Sequence, residues 1–152
     1  MELYSNRVAN YFLNKLNLKK GDCVALFMEN QPENPGIWLG LSKIGVITAL
    51  INTNLKNEPL LHSINVAKAK YVIYGSSLTN SIKTIENKLS KDVGLIVNLN
   101  ENETAQSDNQ LILNSALKTT SDKSVKINEK INHNGIKLLS NYKIKHCLIV
   151  MM

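Results

Sequence analysis

Aromatic side chains make up only 5% of the 152 residues, and there are just three prolines and two cysteines. Cys23 and Cys147 lie far apart, with no CxxC pattern and no metal-ligand spacing. That excludes a disulfide framework and argues against a cysteine-built metal centre. The most apolar run, Ile44 to Ile51, falls far short of the roughly 20 residues that cross a bilayer. No basic start leads into an apolar stretch, so no secretory signal is expected and the chain as written reads as soluble and cytoplasmic. Gly and Thr never cluster with Lys. Gly36, Gly40 and Gly45 are spaced too widely for a phosphate-binding loop, which predicts no cofactor-binding residues.

The 43% hydrophobic and 20% charged content is that of an ordinary globular protein. The net charge of +6 is unevenly placed. Residues 1 to 117 carry eleven basic against ten acidic side chains, whereas residues 118 to 152 carry seven Lys against Asp122 and Glu129. These lysines lack both aromatic interleaving and amphipathic spacing. They read as a solvated face rather than a site for nucleic acid or acidic lipid.

Hydrophobic periodicity gives an alternating order of elements. Tyr4, Val8, Tyr11, Phe12 and Leu16 recur at three- and four-residue intervals and predict a helix from Glu2 to Leu16. Ser5 and Asn6 sit inside that pattern instead of capping it. Lys19-Lys20-Gly21-Asp22 is a stop and turn, and Cys23 to Met28 then reads as a buried strand. Pro32 suits the first turn of a second helix with Ile37, Trp38, Leu41 and Ile44 on its inner face. Val46 to Leu50 predicts a strand, Glu58-Pro59 opens a third helix, and Tyr71 to Tyr74 is a strand closed by Gly75. Leu78, Ile82, Ile85 and Leu89 predict a helix over Ser76 to Ser90, and Gly94 to Asn98 is a further strand. The order predicts an α/β fold with a partial, mainly parallel sheet and flanking helices.

Two regions follow, a domain over 1–99 and a tail over 100–152. Asn100 to Asn109 is polar and acidic and reads as loop. Leu111 to Leu117 has the makings of a short helix. Lys, Ile and Asn account for 16 of the residues from 118 to 152, a bias that matches A/T-rich codons. The tail is expected to be irregular, disordered or non-native.

Several segments resemble the fatty acid transport proteins, the very-long-chain acyl-CoA synthetases of the adenylate-forming, AMP-binding superfamily. They are Ser5 to Ala9, Gly21 to Asn30, Trp38 to Gly45, Ala49 to Leu55 and Glu58 to His62. The likeness covers roughly residues 4 to 97, and Ala-Leu-Ile-Asn-Thr-Asn-Leu followed by Glu-Pro-Leu-Leu-His separates this family from other adenylate-forming enzymes. It implies an incomplete N-terminal subdomain of the adenylate-forming fold. It also implies a two-step ligation, in which ATP and Mg²⁺ adenylate a fatty acid and coenzyme A then displaces AMP. Such proteins associate with the plasma membrane, the endoplasmic reticulum or the peroxisome. The family's Y-I-Y-T-S-G-T-T-G-L-P-K motif is absent here, although Lys137-Leu138-Leu139 resembles its approach. The resemblance therefore implies an inactive fragment with no catalytic, cofactor or metal residue of its own and an unknown substrate-binding set. The alternative is a non-catalytic module that pairs with a full-length copy.

Individual candidates have ordinary readings. His62 lies on a helix without a Ser, Cys or carboxylate at partner spacing, so it reads as a surface residue. His133, His146 and Cys147 stand in an unpatterned tail and do not form a metal set. Asn30 reads as a cap at a strand-to-helix turn. Phe27, Trp38 and Leu41 read as core, with an acyl tunnel as the other reading.

Overall fold

A computed structural model describes residues 1–99 and 111–125, together with the backbone of 147–150. Six strands form one sheet, β1 (Cys23–Phe27), β2 (Ile47–Ile51), β3 (Tyr71–Gly75), β4 (Gly94–Asn98), β5 (Leu111–Ile112) and β6 (Cys147–Val150). Every pairing is parallel and the spatial order is β5-β4-β3-β1-β2-β6. In the register, Val24 faces Thr48 on one side and Tyr71 on the other. The helices are α1 (Glu2–Asn10), α2 (Glu33–Lys43), α3 (Asn57–Val66), α4 (Thr79–Lys83) and α5 (Leu113–Lys118).

The sheet is covered on both faces, as its unbroken apolar strands require. β1 is buried at all five positions. On one face α1 and the turn that follows it, α2 and α5 supply Val8, Phe12, Ile37, Leu41, Leu113 and Leu117, packed on Val24, Leu26, Ile73 and Ile96. On the other, α3 and α4 supply Leu60, Ile64 and Ile82, packed on Ala25, Phe27, Ala49, Val72 and Val97. The chain thus winds one way from β1 to β2 and the opposite way from β2 to β3.

Two expected helices differ from the periodicity. The first runs as an α-helix to Asn10 and then widens into a π-turn over Tyr11–Lys15. Tyr11 and Phe12, three and four residues after Val8, are both buried, as the spacing predicts. Their rings meet edge to face at 5.5 Å. The stretch from Ser76 to Ser90 breaks into a 3₁₀ turn, the short α4 and a second 3₁₀ turn at Glu86–Lys88. Its hydroxyls compete for the backbone. Thr79 Oγ1 donates to the Ser76 carbonyl at 2.7 Å and Thr84 Oγ1 to that of Ser81 at 2.7 Å. The apolar spacing still works, since Leu78, Ile82 and Ile85 are buried. Within the expected tail, Leu111–Ile112 joins the sheet before α5, and Cys147–Val150 pairs with β2. Residues 100–110, 126–146, 151 and 152, and with them the expectations for His133, His146 and the Lys137 approach, lie outside the described residues.

α1 packs directly over Gly36 and Gly40 of α2. A Cβ at Gly40 would lie 2.5 Å from Val8 Cβ and 2.7 Å from the Ser5 carbonyl oxygen, and one at Gly36 would lie 2.5 Å from the Tyr4 ring. α2 ends at Gly45 (φ 71°), where the Gly45 amide donates to Ser42 and the Val46 amide to Leu41. This αL closure turns the chain straight into β2.

Below the strands, Asp22 accepts the Lys19 amide at 2.8 Å and pairs with Lys70 at 2.7 Å. Burial pushes the Asp22 carboxyl up, but the Lys70 ammonium and the Lys19 amide outweigh it and leave the pKa below its ordinary value. A depressed carboxylate contributes stability at neutral pH that is lost as pH falls through its folded pKa.

Gly40→Ala is expected to lower stability by about 1–3 kcal/mol in urea unfolding, against the gain of up to about 1 kcal/mol that Ala normally brings to a helix interior. Gly36→Ala costs less, because a tyrosine ring can shift where a backbone carbonyl cannot. A stabilised Gly40→Ala protein would refute the close approach. Asp22→Asn should lose under about 1 kcal/mol at neutral pH, as a half-exposed pair does. Its difference from the parent should vanish on acidification below the ordinary carboxylate value of 3.8.

Candidate functional site

At the C-terminal ends of β1 and β2 the following segments part, one toward α2 on one face and the other toward α3 on the opposite face. Diverging connections of this kind open a crevice at the strand ends of α/β sheets, where ligands commonly bind. A cleft of about 810 Å³ lies there. Its walls are Leu26 and Met28 from β1 and just beyond, Leu50 and Ile51 from β2, and Pro35 and Trp38 from α2. The rim carries Glu29, Asn30, Gln31, Asn34, Asn52 and Thr53.

Side-chain to backbone hydrogen bonds shape that rim. Asn34 Nδ2 donates to the Glu29 carbonyl at 2.8 Å, tying the first turn of α2 back to the end of β1. Asn52 Oδ1 accepts the Asn54 amide at 3.0 Å, the Asx turn that an Asn-Thr-Asn sequence favours. Asn34 Oδ1 is buried without a partner, which leaves one acceptor in the lining. Among the described residues, no Lys, Arg or His lines the cleft. Polyphosphate charge would meet only carboxamides, the Thr53 hydroxyl and Glu29 among the described residues, which by themselves do not fit a nucleotide with its magnesium ion. Among the described residues no group of three His, Cys, Asp or Glu side chains stands close enough to hold a metal. The arrangement suits a largely apolar, uncharged group that offers a hydrogen-bond donor.

The sequence candidates fall on both sides of this site. His62 is exposed on α3, away from the cleft. Phe27 and Leu41 are core, both at 0% exposure, whereas Trp38 is 44% exposed and forms a cleft wall. Trp38 departs from the core reading because Ile37 and Leu41, not Trp38, occupy the stripe that faces the sheet. Asn30 lies at the rim rather than capping α2, which has no side-chain cap bond. The tie from this turn is made by Asn34, four residues further on. Sequence reasoning missed Asn34, Leu50 and Asn52; the available signal was that each sits where an apolar run ends in a cluster of turn-forming residues. Cys23 is buried at the other end of β1, where burial pushes its thiol pKa up. Among the described residues no helix is long and apolar enough to cross a membrane.

The fold is that of the N-terminal region of adenylate-forming enzymes. An anthranilate-CoA ligase, AuaEII, solved in complex with anthranoyl-AMP, superposes with a TM-score of 0.73 at 21% identity, over 83% of this chain and 23% of that one. The family of AMP-binding enzymes matches residues 1–135, and the chain belongs to it. Its sequence is similar to the long-chain fatty acid transport protein 1 of Rattus norvegicus, 43% identical over 93 residues. It is likewise similar to the long-chain fatty acid transport protein 6 of Mus musculus, 44% identical over 89 residues. The matches cover 61% and 59% of this chain but 14% of each of those proteins. The fatty acid transport resemblance and the α/β fold both hold.

Replacing Trp38 by Ala should cost under about 1 kcal/mol, whereas Leu41→Ala should cost about 2–5 kcal/mol, the range for a fully buried leucine. Urea unfolding of the two variants checks the order, and equal losses would place Trp38 in the core after all.

Proposed function

We propose that this chain is the first α/β unit of a fatty-acid–CoA ligase of the fatty acid transport type. In the whole protein, ATP would adenylate a long-chain or very-long-chain fatty acid, and coenzyme A would then displace AMP. The observation that carries this reading is the 43% identity to a long-chain fatty acid transport protein over 93 residues. The shared fold supports it.

Adenylation needs the carboxylate held in line with the α-phosphate while phosphate charge is neutralised by Lys, backbone amides and Mg²⁺. Among the described residues, the cleft at β1 and β2 offers none of the cationic side chains for that task. On this reading the described residues contribute a scaffold, and membrane association, like the ligase chemistry, belongs to the longer protein. A second reading, a non-catalytic module that pairs with a full-length copy, draws on Trp38, Leu39 and Leu50, large apolar residues left 44%, 42% and 37% exposed. Co-purification with a full-length relative would support it, and its absence from such a pull-down would remove it.

The ligase reading is tested by a chimera in which this chain replaces the matching segment of the rat transport protein. Fatty acyl-CoA formation is expected to persist; a folded chimera with no activity overturns the assignment. The chain alone is expected to give no ATP–pyrophosphate exchange with oleate, and measurable exchange would show that the scaffold reading is wrong.

A further inference from the structure

Ser5 and Asn6 are polar residues inside a helical pattern, and both are nearly inaccessible, at 1% and 4% exposure. Buried polar groups persist where they are bonded, and here their partners lie on two other segments. Lys43, at the end of α2, donates from Nζ to Ser5 Oγ at 2.9 Å and to Asn6 Oδ1 at 2.6 Å. With its oxygen held by that cation, the Asn6 carboxamide donates from Nδ2 to the Asp122 carbonyl at 3.0 Å. One turn along α1, Asn10 Nδ2 reaches the Ser121 carbonyl at 2.9 Å and the Lys123 carbonyl at 2.8 Å. It also reaches the Asn6 carbonyl at 3.0 Å, so its two hydrogens are shared among three acceptors. Asn14 Nδ2 donates to Asn10 Oδ1 at 3.3 Å and fixes which way the Asn10 amide faces.

We propose that Asn6, Asn10 and Lys43 form a carboxamide clamp that positions residues 121–123 by gripping three consecutive main-chain carbonyls. The clamp reads backbone, not sequence. Among the described residues, the one side-chain pairing between α1 and residues 121–123, Arg7 with Asp122 at 3.5 Å, is 39% and 45% exposed and contributes little. Lys43 acts through Asn6, because a charge-assisted bond to the amide oxygen strengthens the donor on the other side. Its place in the fold gives the clamp its purpose. α5 leaves the sheet at the β5 edge, and the next described strand, β6, lies at the opposite edge beside β2. The clamp holds residues 121–123 against α1. This inference stands apart from the ligase reading and uses none of its chemistry.

Trypsin gives a direct readout, because the carbonyl held by Asn10 belongs to the Lys123–Ser124 bond that the protease cuts. In the full 152-residue chain, Asn10→Ala is expected to raise the rate of cleavage after Lys123 about tenfold. Asn10→Asp, which keeps the shape but turns an oxygen toward the carbonyls, should raise it at least as much. Lys43→Met should raise it severalfold through Asn6, while Asp122→Ala should change it less than about twofold. Cleavage after Lys88 and Lys91 should stay constant in all four. An unchanged rate after Lys123 in the Asn10 variants, or an equal rise at every site, overturns the clamp. Should those variants fail to fold, the exposed Asn14→Ala replaces them, with a two- to threefold rise expected and no rise refuting it.

Discussion

The approach of α1 to α2 is the contact on which one half of the molecule rests. Gly36 and Gly40 stand one turn apart on α2 and leave a shallow track in which the Tyr4 ring, Val8 and the Ser5 carbonyl lie. Because the helices come this close, Val8 and Phe12 reach the same layer as Ile37 and Leu41, over Val24, Leu26 and Ile73. A wider separation would lift Phe12 away from Tyr71, whose ring it meets edge to face at 6.4 Å. It would also draw Ser5 and Asn6 out of reach of Lys43. Core, π-turn and clamp therefore share one geometric condition, the absence of a Cβ at two positions.

The opposite face has no such dependence. Leu60, Ile64 and Ile82 meet Ala25, Ala49, Val72 and Val97 through ordinary side-chain packing. The small alanines on β1 and β2 let α3 sit close to the sheet without glycine. That difference decides where the cleft opens. α2 is held by α1 and starts late, at Glu33, leaving Met28 to Pro32 to leave the sheet as an open loop. The β2 connection departs to the other face through the Asn52 turn, and the space between the two connections is the cleft.

Much of this was legible in the sequence, because four of the strands are continuous apolar runs bounded by turn residues, and Cys23 to Phe27 and Gly94 to Asn98 could hardly be anything else. What was not legible came from tertiary pairing. The burial of Tyr11 and Phe12 follows the three- and four-residue spacing from Val8, but nothing in that spacing marks the π-turn that starts there. Gly36 and Gly40 are uninformative until α1 is known to lie on them. Ser5 and Asn6 read as misplaced caps, and their partners Lys43 and Asp122 lie 38 and 116 residues away. Trp38 and Leu41 look alike as members of an apolar helix face, and only the sheet's position separates cleft wall from core. β6 escaped notice because four apolar residues in a lysine-rich context carry no period of their own.

Adenylate chemistry separates what a sheet supplies from what its loops must supply. A parallel sheet with diverging connections gives a rigid crevice at its strand ends, but phosphate charge has to be met by cations and aimed amide groups. Here the rim of the crevice carries carboxamides, a hydroxyl and one carboxylate among the described residues, and the half-buried Lys43 acts through Asn6 on the Asp122 carbonyl. The residues that do the holding in this unit hold the polypeptide itself. A unit built in this way ties residues 121–123 to α1 on the same face of the sheet that α2 covers beside the crevice.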